Sequence, residues 1–171
     1  VTNERGAIVV NDTCESSVPG VYAVGDVNGG PQFTYVSLDD FRIVFGALTG
    51  NSQYTLKDRK NIPYTTFLTP PLSRVGLTEE DAINQGYTVK TKEMLVATMP
   101  RAHVNDYLKG AFKIVVDAEN DLILGATLYS QGAEELINLI KMAMDNNIPY
   151  TYFKNQIFTH PTMAENLNDL C

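Results

Sequence analysis

The sequence predicts an α+β fold, mainly an antiparallel sheet flanked by helices, in the stretch from residue 62 onward. Two strand-like runs, Ala111 to Asp117 and Leu122 to Tyr129, are joined by the turn-rich tetrad Ala118-Glu119-Asn120-Asp121, which reads as a hairpin. Ala133 to Asn147 is the strongest helical pattern in the chain: Ala133, Leu136, Ile137, Ile140, Ala143 and Met144 recur at helical spacing. Short strand-like runs at Ile62 to Leu68 and Ser73 to Leu77, separated by Pro70-Pro71, supply further sheet.

In chain order, Ala7 to Val10 is a short strand after Gly6, and Val21 to Val24 is a second, closed by Gly25-Asp26. That turn leaves a carboxylate at a strand's carboxyl edge, where open α/β sheets bind ligands. A glycine-rich loop, Val27 to Thr34, leads into a helix from about Phe33 to Leu48, ended by Gly50-Asn51. Asn51 to Asn61 is polar and suits a linker between domains. Thr78-Glu79-Glu80-Asp81 is a capping-box pattern, and Gly86 suits a left-handed C-cap, so a short helix runs from about 79 to 85. Tyr87 to Thr98 alternates loosely as a long strand, and Met99 to His103 is a polar excursion, with His103 on an exposed loop. The second hairpin strand is apolar on both faces and should be covered on both. Leu139 and Met142 widen the stripe of the 133–147 helix, consistent with deep burial or with a subunit contact.

The chain has 171 residues, 44% of them hydrophobic, enough for one domain and a smaller piece of another. Thirteen Lys plus Arg against twenty Asp plus Glu give a net charge of −7 without a basic cluster, which argues against nucleic acid and anionic membrane surfaces as partners. No apolar run reaches the roughly 18 residues of a membrane span. Cys14 and Cys171 are too far apart for a disulfide framework or a metal knuckle and read as reduced thiols of a cytoplasmic protein. Two histidines without clustered ligands make no metal site. Beginning at Val1, the chain reads as a C-terminal fragment of a longer polypeptide.

The stretch Phe158 to Asn166 carries the most chemistry. Pro161 suits the first position of a helix, which puts His160 at or just before the N-cap and Glu165 little more than one turn on. Two readings of that spacing stand: a cap followed by a solvated first-turn acid, or a general acid/base whose ring is oriented by the carboxylate.

Together, Thr13 to Asp26 (TCESSVPGVYAVGD) and His160-Pro161-Thr162-x-x-Glu165 resemble two signatures of the pyridine nucleotide-disulfide oxidoreductases, the family of glutathione reductase, dihydrolipoamide dehydrogenase and mercuric reductase. Nearly the entire chain is covered by the resemblance. It implies residues 1–50 as the end of an FAD-binding domain, 51–61 as a linker and 62–171 as a dimerisation domain. Gly25, Asp26, Gln32, Phe33 and Thr34 would then contact FAD, with Asp26 bonding a ribityl hydroxyl, and NAD(P)H would be the co-substrate. The family forms head-to-tail homodimers, so residues 62–171 would dimerise. His160 would serve as acid/base at a redox disulfide of the partner subunit, with Glu165 orienting it. Members maintain cell redox homeostasis on small-molecule or thiol/disulfide substrates. The run Gly29 to Thr34 resembles a mercuric-reductase-like subgroup linked to defence against reactive chlorine and hypothiocyanite. Since no Cys-x-x-x-x-Cys and no dinucleotide fingerprint is present, this chain alone is expected to be inactive. The rival readings are a stand-alone α+β dimerisation or partner-binding module, and a metal-ion reductase of the mercuric type, where the missing terminal cysteine pair counts against mercury and leaves other metals open.

Overall fold

The computed structural model describes residues 1–171, which divide into two compact units, Val1–Lys60 and Asn61–Cys171.

In the first unit the strand-like runs make only single bridges: Thr2 with Ile8, Val10 with Ser16, and Glu15 with Tyr22. The expected strands at Ala7 to Val10 and Val21 to Val24 are therefore not laddered, and Val21 and Val24 are exposed. An extended segment becomes a strand only where a neighbour takes its alternate N–H and C=O groups. Gly25–Asn28 is a 3-10 turn, and helix α1 spans Thr34–Leu48 with Phe33 at its N-cap. Val36, Asp40 and Ile43 are the buried residues of α1, and Cys14 and Ala23 are buried in the same unit. Segment 51–61 includes a 3-10 turn, Leu56–Asp58, closed by a capping box between Thr55 and Asp58. Leu56 N donates to Asp12 O (2.9 Å), and Arg59 pairs with Asp39 and Asp40 of α1.

The second unit is a five-stranded antiparallel sheet in the order β1-β2-β5-β4-β3. Its strands are β1 (Tyr64–Thr66), β2 (Leu72–Gly76), β3 (Val89–Leu95), β4 (Ala111–Asp117) and β5 (Ile123–Tyr129). The hairpin β4–β5 pairs Ala111 with Tyr129 through Val116 with Ile123, with a bulge at Val115/Val116. One face carries Phe112, Ile114, Ala126 and Leu128 into the core, whereas Leu124, Thr127 and Tyr129 are only half-buried, so the expected full cover on both faces of β5 is not reached. Strand β3 ends sooner than expected, at Leu95, and passes into a 3-10 turn, Val96–Thr98. It is one of the two outer strands, and its exposed Lys90, Lys92 and Glu93 give an edge unsuited to further pairing. Gly110 enters β4 at φ +124°, where any Cβ would overlap the Tyr129 carbonyl oxygen.

Helix α2 (Glu79–Asn84) starts on the foreseen capping box: Thr78 Oγ1 accepts from Asp81 N (2.9 Å), and the Asp81 carboxylate accepts from Thr78. Residues 100–104, expected as a loop, instead form helix α3 (Pro100–Val104). Proline at N1 costs no helical bond, and Ala102 is buried. His103 is exposed on this helix, its Nε2 2.8 Å from Ala97 O. Helix α4 (Ala133–Asp145) packs against β2 and β5 through Leu136, Ile137, Ile140 and Ala143, leaving Met142 exposed and Leu139 half-buried. Helix α5 (Tyr150–Asn155) was not legible, because Tyr-Thr-Tyr-Phe is a poor helix former; Phe153 anchors it in the core. Helix α6 (Leu167–Leu170) follows a 3-10 turn, Ala164–Asn166, and buries Leu167 and Leu170 against β3 and β4.

Pro161 is not the first residue of a helix. The His160–Pro161 peptide is cis, and residues 160–163 form a turn ahead of the helical segment. Thr162 performs the capping, since its Oγ1 accepts from Glu165 N (3.2 Å) while Glu165 Oε1 accepts from Thr162 N (2.9 Å).

Candidate functional site

The C-terminal site is assembled by the same reciprocal cap. One oxygen of Glu165 is held by the Thr162 amide, and the other lies 2.8 Å from His160 Nδ1. Thr162 Oγ1 also donates to Thr159 O (2.8 Å), closing the turn that carries the imidazole. Beneath it, the buried Asn166 amide donates to Thr162 O and Met163 O, and Phe158, Met163 and Ala164 pack against the core. Asn168 Nδ2 ties the next segment down by donating to Phe153 O (2.7 Å) and Gln156 O (2.9 Å).

The His160 side chain is 68% exposed and that of Glu165 19%. His160 and the Thr162 amide together hold the Glu165 carboxyl below its ordinary value of 4.5, so it is ionised at neutral pH. An ionised carboxylate only accepts, which makes Nδ1 a protonated nitrogen, so that in the neutral ring the lone pair sits on Nε2. Ile157, three residues before His160, is 93% exposed. Sequence reasoning missed Thr162 and Asn166 as the supports of this site, although Thr162-x-x-Glu165 is itself a capping-box pattern.

In the first unit, Gly25 is buried at φ +70°, and a Cβ there would collide with Ser37 Oγ on α1. Its neighbour Asp26 is exposed and, with Gln32, lines an open cleft of about 810 Å³ that also takes in Asn3, Arg5, Gly6 and Gly29. Phe33 and Thr34 lie outside that lining, at the start of α1. Phe33 stacks on Tyr35 at 5.1 Å between centroids, and no acidic side chain occupies the helix's first turn. Below the turn the Asp40 carboxylate, fully buried, accepts from Gly25 N (2.7 Å) and Asn28 Nδ2 (2.9 Å), and its other oxygen accepts from Arg59. Asn28, Asp40 and Arg59 did not figure in the sequence reading. The signal for Asp40 was a carboxylate on the Val36, Asp40, Ile43 stripe, where an apolar residue is expected; nothing marked Arg59 within its polar segment.

The second unit is an antiparallel sheet backed by helices, and the first carries a glycine turn with an outward carboxylate. Residues 62–171 match the dimerisation domain of the pyridine nucleotide-disulphide oxidoreductases, residues 1–40 match a second pyridine nucleotide-disulphide oxidoreductase family model, and the chain belongs to this family. Over 168 residues it is 49% identical to a probable pyridine nucleotide-disulfide oxidoreductase, RclA, of Escherichia coli, covering 98% of this chain and 38% of that protein. Mercuric reductase of Staphylococcus aureus is 33% identical, with 97% of this chain and 30% of that protein covered. Dihydrolipoyl dehydrogenase of Chlorobaculum tepidum is also 33% identical, with 99% and 36% covered. This chain thus spans between 30% and 38% of the length of these relatives. The solved structure of the HOCl-induced flavoprotein disulfide reductase RclA superposes with a TM-score of 0.95 at 48% identity, over 99% of this chain and 39% of that one. LpdA of Mycobacterium tuberculosis shares the fold, with a TM-score of 0.86 at 21% identity over 96% of this chain and 36% of that one. No helix is long and apolar enough to cross a membrane.

Proposed function

We propose that this chain is the C-terminal region of an FAD-dependent NAD(P)H:disulfide oxidoreductase of the cytoplasm, in which residues 62–171 form the homodimer contact, 51–61 the linker and 1–50 the end of the FAD domain. His160 is the general acid/base at the partner subunit's active site, and Glu165 is its positioning residue. The carrying observation is the 2.8 Å contact between His160 Nδ1 and Glu165 on an imidazole whose side chain is 68% exposed. In that arrangement Nε2 accepts the proton of an attacking thiol and returns it to the departing thiolate, leaving the nucleophile in its reactive form. The Thr162 amide keeps the carboxylate in place through that cycle.

The first unit suits FAD. Asp26 offers an exposed acceptor for a hydroxyl at the edge of the cleft, and the first turn of α1 presents a partial positive charge unopposed by an acid. Gly25, Asp26, Gln32, Phe33 and Thr34 are the contact residues on this reading. When bound, FAD supplies the two-electron relay between NAD(P)H and a disulfide. The substrate is a small molecule or a thiol/disulfide, and the chain by itself lacks reductase activity. The test is His160→Ala in the full-length protein. Flavin reduction by NAD(P)H should be unchanged, while oxidation of the reduced enzyme by a disulfide slows by about 10²–10⁴. Equal loss in both half-reactions would sink the assignment.

A further inference from the structure

The Asp40 carboxylate does more than satisfy a buried helix position. It is completely shielded from solvent, and its two oxygens divide between two tasks. Oδ2 accepts from the backbone of Gly25 (2.7 Å) and from the Asn28 amide (2.9 Å); Oδ1 accepts from Arg59 Nη2. Arg59 is anchored by its Nε to Asp39 Oδ2 (2.7 Å), and Asp39 in turn accepts from Tyr54 OH (3.2 Å). Asn28, oriented by Asp40, donates to Ala23 O (3.3 Å) and accepts from Gly30 N (3.0 Å). This buried carboxylate therefore grips the residue before Asp26 directly and, through Asn28, the Ala23 carbonyl before the turn and the glycine after it. Asp26 itself is left without any such bond to the first unit's interior and faces the cleft.

A buried charge is expensive unless paired and fully hydrogen-bonded, and an apolar residue would fill the same helix face at lower cost. The observed arrangement spends two further side chains, Arg59 and Asn28, on making a carboxylate tolerable there. We infer that the Arg59–Asp40–Asn28 clamp is the positioning device for Asp26: it sets the height and direction from which that carboxylate meets a hydroxyl-bearing ligand in the cleft. The inference rests on the FAD reading of that cleft, and deepens it by naming the residues that act through Asp26 without touching the cofactor.

A double-mutant cycle on the full-length protein separates positioning from general support of the fold, because a residue acting only through Asp26 has nothing left to act on once that carboxylate is gone. The FAD dissociation constant is measured by fluorescence titration of deflavinated protein for the parent, Asp26→Ala, Asp40→Asn and the double variant. Asp26→Ala alone should weaken FAD by about tenfold or more, as loss of a hydrogen bond to a charged group implies. Asp40→Asn, which keeps the side-chain shape, should weaken it by about tenfold in the parent and by less than about twofold in the Asp26→Ala background. Asn28→Ala, which leaves the Asp40–Arg59 pair and the Gly25 bond in place, should show the same non-additivity and serves in place of Asp40→Asn if that variant does not fold. Equal loss in both backgrounds would overturn the positioning role while leaving the FAD reading intact. Undiminished affinity in Asp26→Ala would overturn the FAD reading, and this inference with it.

Discussion

Replacing Glu165 by glutamine tests the proposed acid/base pair at its most specific point, because the two side chains have the same shape and differ in what they offer the imidazole. Glu165 Oε1 accepts from Thr162 N at 2.9 Å, and Oε2 faces His160 Nδ1 at 2.8 Å. A glutamine that keeps its oxygen on the Thr162 amide turns its NH₂ toward Nδ1. That donor selects the tautomer with the proton on Nε2, so that nitrogen loses its lone pair. Flipping the amide restores the tautomer but sets an N–H against Thr162 N. Either outcome forfeits one hydrogen bond to a charged group, worth about 1.5–3 kcal/mol; the low end applies because the ring is 68% exposed. At about 1.4 kcal/mol per factor of ten, oxidation of the reduced full-length enzyme by an aromatic disulfide should slow by about tenfold in stopped flow, with NAD(P)H reduction of the flavin unaffected. An oxidative rate within about twofold of the parent would refute the orienting role.

Three further outcomes follow from the structure. Phe112→Ala removes a fully buried ring from the centre of the sheet and should cost about 3–5 kcal/mol in denaturant unfolding; a loss below about 1 kcal/mol would show that the core collapses around the gap. Burial pushes the Cys14 thiol up to about 11, the Asp40 charge adding to the effect, and burial pushes Cys171 up to about 12. Neither should react with iodoacetamide at pH 8 in the native state, whereas both should in denaturant. Finally, the Glu165 carboxyl is held below 4.5 by His160 and the Thr162 amide, so its contribution to stability is complete above that value and is lost as the pH falls through the lower folded value. Stability followed by thermal unfolding between about pH 5 and 2 should fall less steeply in Glu165→Gln than in the parent.

Patterns that repeat along one element were legible. The α4 stripe, the β4–β5 hairpin and the Thr78 capping box follow from periodicities and turn chemistry that each segment carries within itself. The same holds for the Gly25-Asp26 turn, whereas the spacing of His160 and Glu165 allowed a cap as readily as a pair. Three readings were displaced by interactions from elsewhere in the chain or by local geometry. Pro161 sits in a turn ahead of the helical segment, because Thr162 takes over the capping. Pro100 to Val104 closes into a helix over the buried Ala102. Val21 to Val24 meets residues 14–16 only in the single Glu15–Tyr22 bridge, which does not extend into a ladder.

By itself, then, the sequence determined which segments are helix and strand over most of the sheet unit, since those depend on neighbours within a few residues, and it left His160 and Glu165 open between a cap and a pair. Only the tertiary structure decided that the buried partner of the Gly25 turn is Asp40, from fifteen positions further along, neutralised by an arginine nineteen positions beyond that. No periodicity reports such a match, because a buried charge finds its counter-charge through packing in three dimensions and not through spacing along the chain.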